Sequence, residues 1–340
     1  MSESLTDSPP SLRALQSQET QKALQPQETQ ETQETQETLE ALRARLSAVV
    51  AIPVTPFQAD GEVDWDAHAA LIDRSVARGV RVLTPNGNTG EYYALTEAEA
   101  SRAVESAIAA AGQRAAVMAG VGLSTAHAVA AARHARGKGA VAVMVHQPVH
   151  PYRSAEGWVA YHREIADAVP ELGVVLYIRD PMITGAQVRE LGEQCPNVIG
   201  VKYAISDPVR FAAVARDAGL DRFAWICGLA EPYAPAYWAM GASGFTSGLV
   251  NVVPALSLGM LDALQKKDYE AAMTAWETIR GFEELRADDA SADNVSVVKE
   301  ALAQLGLASR KVRPPSRELP AGRREQVAAL IARWREEGWL

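Results

Sequence analysis

From Ser47 onward the chain alternates short apolar runs with longer alanine-rich stretches. The runs are "AVVAIPV" (48–54), "VRVLTP" (80–85), "AAVMAGV" (115–121), "AVAVMVH" (140–146), "GVVLYI" (173–178), "VIGVKYA" (198–204), "FAWICG" (223–228) and "GFTSGLV" (244–250). Strands that are apolar on both faces belong to a parallel sheet covered by helices. The intervening segments, such as "DWDAHAALIDRSVARG" (64–79) and "TEAEASRAVESAIAAAG" (96–112), are amphipathic and end in glycine, as helix C-caps do.

Eight strand–helix units predict an α/β fold of the (β/α)8 barrel type, which takes about 250 residues. An open doubly wound sheet would place a G-x-G-x-x-G turn after its first strand, where this chain reads "PVTPFQADGEVD". The expected organisation is a tail over 1–44, a barrel over 45–255 and a helical C-terminal region over 256–340. The tail carries the repeat "QETQETQETQET" (27–38), which has no apolar face to bury and is expected to be disordered.

Net charge is −9 and the pI about 5.3, which argues against a nucleic-acid-binding surface. No apolar run approaches the roughly 20 residues of a membrane span, and the N-terminus lacks a secretory pattern, so a cytoplasmic location is expected. Cys195 and Cys227 have no metal-ligand spacing. His146 and His150 are four apart, but Pro148 between them excludes the helix on which that spacing suits zinc. No metal site is expected.

Barrel active sites lie where strands end. That rule singles out Lys202, closing the apolar run "VIGV". Burial there would lower its pKa, and a neutral amine forms a Schiff base with a ketone; the plain alternative is a lysine reaching to solvent. Tyr177 ends the neighbouring strand and could move protons; the plain alternative is an amphipathic core tyrosine with a satisfied hydroxyl. After the second strand, "GNTGE" offers amide donors and the side chains of Asn88 and Thr89, with Gly90 supplying flexibility, and such a turn holds carboxylates. Together these features fit a 2-oxo acid, its ketone at Lys202 and its carboxylate at 87–90. Glu91 is read as bracing the loop. His150 is read as a pocket residue, and Ser247 as a substrate contact or a turn residue. Arg179 is either a ligand for a second carboxylate or a salt-bridge partner of Asp180 or another acid.

Over about 47–335 the chain resembles the dihydrodipicolinate synthase / N-acetylneuraminate lyase family. The matching pieces are "IPVTPF…DGEVDWDA", "GNTGEYYALTEAE", "YIRDP", "GVKYAISDP" and "VNVVP". The resemblance implies a (β/α)8 barrel with C-terminal helices, commonly a homotetramer, and no cofactor. It also implies a Schiff-base lysine matched by Lys202, a catalytic tyrosine matched by Tyr177, and a carboxylate turn on Asn88 and Thr89. The lysine-biosynthetic synthases carry a threonine at Asn88, a tyrosine at His150 and an arginine after "YN-x-P-G", all absent here. "Tyr-x-Arg-Asp" (177–180) and "VRPPSREL" (312–319) resemble the branch that dehydrates and decarboxylates 5-dehydro-4-deoxyglucarate. That branch has glycine at Asn88, asparagine at Ile178 and an Asp-Gly pair at Tyr203 and Ala204. The alternatives are an aldolase or lyase of the N-acetylneuraminate or 4-hydroxy-2-oxoglutarate type, a 4-hydroxy-tetrahydrodipicolinate synthase, and a non-catalytic 2-oxo-acid sensor or scaffold.

Overall fold

A computed structural model describes residues 39–340 of the chain. The expected tail therefore lies, up to residue 38, outside the described residues. Eight parallel strands among them pair in chain order and close into a barrel: β1 (Val49–Ala51), β2 (Val82–Leu83), β3 (Ala116–Val121), β4 (Ala142–Val145), β5 (Gly173–Ile178), β6 (Val198–Tyr203), β7 (Ala224–Cys227) and β8 (Gly244–Ser247). Each falls within one of the eight apolar runs. Closure is made by β8 pairing with β1, Val50 opposite Thr246.

The connecting helices are α1 (Trp65–Ala77), α2 (Glu97–Ala111), α3 (Thr125–Lys138), α4 (Ala155–Ala168), α5 (Gly185–Gln194), α6 (Pro208–Ala218), α7 (Ala234–Ala239) and α8 (Pro254–Gln265). Their starts obey local chemistry. The Asp64 carboxylate accepts from the amide of Ala67 to cap α1, and Thr96 with Glu99 forms a capping box on α2. Beyond the barrel come α9 (Tyr269–Ser291), α10 (Asn294–Gln304) and α11 (Ala321–Glu336). The last turn of α9 leaves helical dihedrals at Asp288, Asp289 and Ala290. Residues 42–340 form a single unit. The expected boundary at 255 falls inside α8, the barrel's own eighth helix.

Strand alternation separates two cores. Val174, Leu176, Ile178, Val201, Tyr203, Trp225 and Phe245 belong to the cluster shared with the helices. The residues between them, including Val175, Tyr177, Gly200 and Lys202, take the opposite, lumen-facing direction. No described helix is long and apolar enough to cross a membrane.

Closure depends on close backbone approach. A Cβ on Gly244 would meet the carbonyl oxygens of Leu46 and Ala48 at 2.7 Å. Gly244→Ala is therefore expected to cost about 1–3 kcal/mol as an overpacked site, read as a lower urea midpoint with an unchanged m-value.

Candidate active site

Lys202 and Tyr177 are paired in register on β6 and β5, so both side chains project to the same face. The Lys202 ammonium nitrogen lies 4.0 Å from the centroid of the Tyr177 ring. Both residues are only 4% exposed. Gly228, at the end of β7, leaves room for the lysine stem: a Cβ there would lie 3.0 Å from Lys202 Cγ. Burial is the main cause, and the Arg179 charge the second, of a Lys202 pKa pushed down to about 7. Burial also raises the pKa of the Tyr177 phenol, so it stays protonated.

The Asn88 amide donates to the Tyr177 hydroxyl at 3.2 Å. Asn88, Thr89 and Gly90 form a single 3-10 turn. The amides of Asn88 and Thr89 sit at its N-terminal end, where N–H groups have no intrahelical acceptor. Gly90 is required by sterics, since a Cβ would come within 2.9 Å of the Pro53 carbonyl. The Thr55 hydroxyl donates to the Gly90 carbonyl at 2.8 Å.

Glu91 braces this turn from behind. It holds a left-handed φ of 57°, its carboxylate pairs with the fully buried Lys299 of α10, and it accepts from the amide of Arg313 at 3.0 Å. Lys299 also donates to the Lys311 carbonyl. Tyr92 packs as a buried ring stacked on His146, centroids 4.8 Å apart, and His146 in turn faces Tyr177 at 5.7 Å. His146 Nε2 lies 2.8 Å from the Asn86 carbonyl, and burial holds its pKa down to about 3, so it is a neutral ring that donates there.

A cavity of about 700 Å3 opens over these groups. Asn88, Thr89, Tyr177, Arg179 and Lys202 all line it. Asp180 bonds to Arg153 rather than to Arg179, and among the described residues Arg179 takes part in no ion pair. Two expected contacts are placed elsewhere. Ser247 follows Phe245 on the helix-facing side of β8, and its hydroxyl donates to the buried Glu231 carboxylate at 2.5 Å. The residue of β8 that lines the cavity is Thr246, one step along the alternation. Glu231 also accepts from Ser257, and burial raises its pKa. His150 is exposed, its Nδ1 2.7 Å from the Tyr152 carbonyl. The loop after β4 turns it outward from the cavity.

Sequence reasoning missed the wall supplied by the C-terminal helices: Trp276, Glu283, Arg286 and Asn294. Arg286 is 4% exposed, bonds both oxygens of Glu283 at 2.7 and 2.9 Å, and reaches Asn294. A Cβ on Gly248 would lie 2.5 Å from its Nη2. The one available signal was the i,i+3 spacing of Glu283 and Arg286, which a solvated helix face shows equally.

A barrel that sinks one amine, short of its charge, beside a phenol at the strand ends defines an enzyme of the lyase class that works through a lysine Schiff base. The chain belongs to the dihydrodipicolinate synthetase family, whose model matches residues 45–333. It is 36% identical over 284 residues to a 4-hydroxy-tetrahydrodipicolinate synthase of Phenylobacterium zucineum, covering 82% of this chain and 94% of that one. It is 30% identical over 289 residues to a probable 5-dehydro-4-deoxyglucarate dehydratase of Pseudomonas savastanoi pv. phaseolicola, covering 84% and 94%. The crystal structure of dihydrodipicolinate synthase from Bacillus clausii is similar with a TM-score of 0.84 at 40% identity, covering 86% of this chain and 99% of that one.

Replacing Glu91 with alanine would strand a buried lysine charge. The expected loss is about 3–5 kcal/mol of stability, measured by denaturant unfolding, and the double change Glu91→Leu with Lys299→Met should recover most of it.

Proposed function

We propose that Lys202 is the imine-forming lysine, that Tyr177 moves protons, and that the Asn88–Gly90 turn holds the carboxylate of a 2-oxo acid. The observation that carries this reading is the buried amine with its pKa near 7, 4.0 Å from a buried phenol on the adjacent strand. A lysine of ordinary pKa is almost entirely protonated at neutral pH, whereas burial shifts this one toward its neutral, nucleophilic form.

The Lys202 amine adds to the ketone carbon, the carbinolamine loses water, and a protonated imine forms. Its nitrogen withdraws electrons, so the neighbouring carbon gives up a proton. Hydroxide then leaves the next carbon, taking a proton to depart as water. The conjugated imine accepts the electron pair of the bond to the distal carboxylate, which leaves as CO2. Protonation and hydrolysis release the product and return the amine. The Tyr177 phenol, tied to Asn88, is placed to pass protons during imine formation and loss of hydroxide. Arg179 is read as the partner of the distal carboxylate.

The substrate read in this way is 5-dehydro-4-deoxyglucarate or a close hydroxylated relative. What supports it is Arg179 at the cavity, without an ion pair among the described residues, and the match to dehydratases over most of the chain. A second reading, aldol chemistry or the synthase reaction, is favoured by the identity to the Phenylobacterium synthase. Against the synthase stand His150, turned to solvent where the synthases carry a tyrosine, and Asn88 where they carry a threonine. By resemblance alone the assembly is read as a homotetramer, which sedimentation velocity measures directly.

Pyruvate with borohydride should add one reduced adduct per chain, found on the peptide containing Lys202 and lost in Lys202→Ala; no adduct would overturn the lysine assignment. CO2 release without pyruvate release from 5-dehydro-4-deoxyglucarate supports the dehydratase, and pyruvate release overturns it. Tyr177→Phe should slow turnover by about 10²–10⁴-fold.

The pH dependence has a fixed sign. The amine is the reactive form, so adduct formation with pyruvate should fall as pH drops through about 7 and level off above it. Arg179→Gln removes a positive neighbour, so that midpoint should move to higher pH.

A further inference from the structure

Beside the main cavity lies a second lobe of about 470 Å3, and the two share Asn88, Tyr177 and Arg179 in their walls. The lobe is otherwise built from the loops after β4 and β5, with Tyr93 closing one side. Its frame is fixed. Arg153 binds the Asp180 carboxylate through Nε and Nη2 and the His150 carbonyl through Nη1, tying the two loops together. Asp180 completes the brace by accepting from the amide of Met182.

Within this frame Gln147 stands out. Both polar atoms of its side chain are shut away from solvent, and neither has a protein hydrogen-bond partner. The Asn88 carbonyl oxygen, on the divide between the lobes, is in the same condition. A buried amide left unmet is unfavourable, and folded proteins seldom keep one without a reason. Gln147 also gives up no hydrogen bond in turning its amide toward the lobe. The group that suits it is a hydroxyl, which donates to the amide oxygen and accepts from its NH2. Arg179 adds a positive charge with no ion-pair partner among the described residues, whereas Arg153 is already committed to Asp180.

We propose that this lobe is the subsite for the distal half of the substrate, where Gln147 and Asn88 read a hydroxyl and Arg179 receives a second carboxylate. The ligand class is a hydroxylated dicarboxylate about six carbons long. This deepens the function proposed above and rests on its placement of the ketone end at Lys202.

The test uses two six-carbon dicarboxylates without a ketone, D-glucarate with hydroxyls and adipate without them, so that neither can form an imine. Calorimetry on the whole enzyme should find D-glucarate bound about tenfold more tightly, the factor one well-placed polar pair supplies. Gln147→Leu should bring the two to near equality while the melting temperature holds. Arg179→Gln should weaken both. The proposal is overturned if wild type does not distinguish them. It is also overturned if Gln147→Leu weakens both equally or lowers only the melting temperature, either of which would make the amide a structural or water-bound group. The pyruvate adduct at Lys202 is a separate readout, so a failed adduct with intact discrimination would sink the imine reading and leave the lobe's recognition standing.

Discussion

An amine withheld from water beside a phenol is the constraint from which the rest of this molecule follows. Burial alone lowers the affinity of Lys202 for a proton, and the Arg179 charge lowers it further. Among the described residues no carboxylate pairs with Lys202 as Glu91 pairs with Lys299. The contrast between these two buried lysines is instructive. Lys299 has an acid, a carbonyl and an aromatic ring around it and serves structure. Among the described residues Lys202 meets the Tyr177 ring and the cavity and takes part in no ion pair, and on the proposed reading that difference in company separates a brace from a nucleophile.

The C-terminal helices complete the site from outside the barrel. α10 carries Lys299 to the back of the Asn88–Gly90 turn, and the segment after it brings Arg313 to Glu91, Glu99 and the Gly61 carbonyl. The turn is thus held from two sides while Asn88 and Thr89 line the cavity. α9 supplies the wall containing Trp276, Glu283 and Arg286, whose guanidinium occupies the space a side chain on Gly248 would need. A region that reads as an appendage along the chain is in space one face of the active site.

Relatives named for synthase and for dehydratase activity match this chain at 36% and 30% identity over most of its length. In this chain the loops after β2, β4 and β5 gather Asn88, Gln147 and Arg179 around Tyr177, and on the proposed reading these loops discriminate between the two activities. Differences confined to such loops leave the imine chemistry intact and alter which substrate tails are accepted.

Much of the molecule was legible along the chain because its determinants are local. Eight apolar runs gave eight strands, since a parallel strand covered on both faces must be apolar throughout. Lys202 and Tyr177 could be found as polar residues ending such runs, and Glu91 was correctly read as a brace. Ser247 and His150 could not be placed in this way. A one-residue step on β8 decides whether Thr246 or Ser247 meets the cavity, and the path of a loop decides where His150 points. Gln147 and Arg286 gave no usable signal, because their significance is the absence of a protein partner in one case and the reach of a distant helix in the other. The sequence by itself determined the barrel and singled out Lys202 and Tyr177 near its strand ends, through periodicity and burial. Only the tertiary structure decided which side chains share the cavity, because strand phase, loop course and long-range docking set that membership.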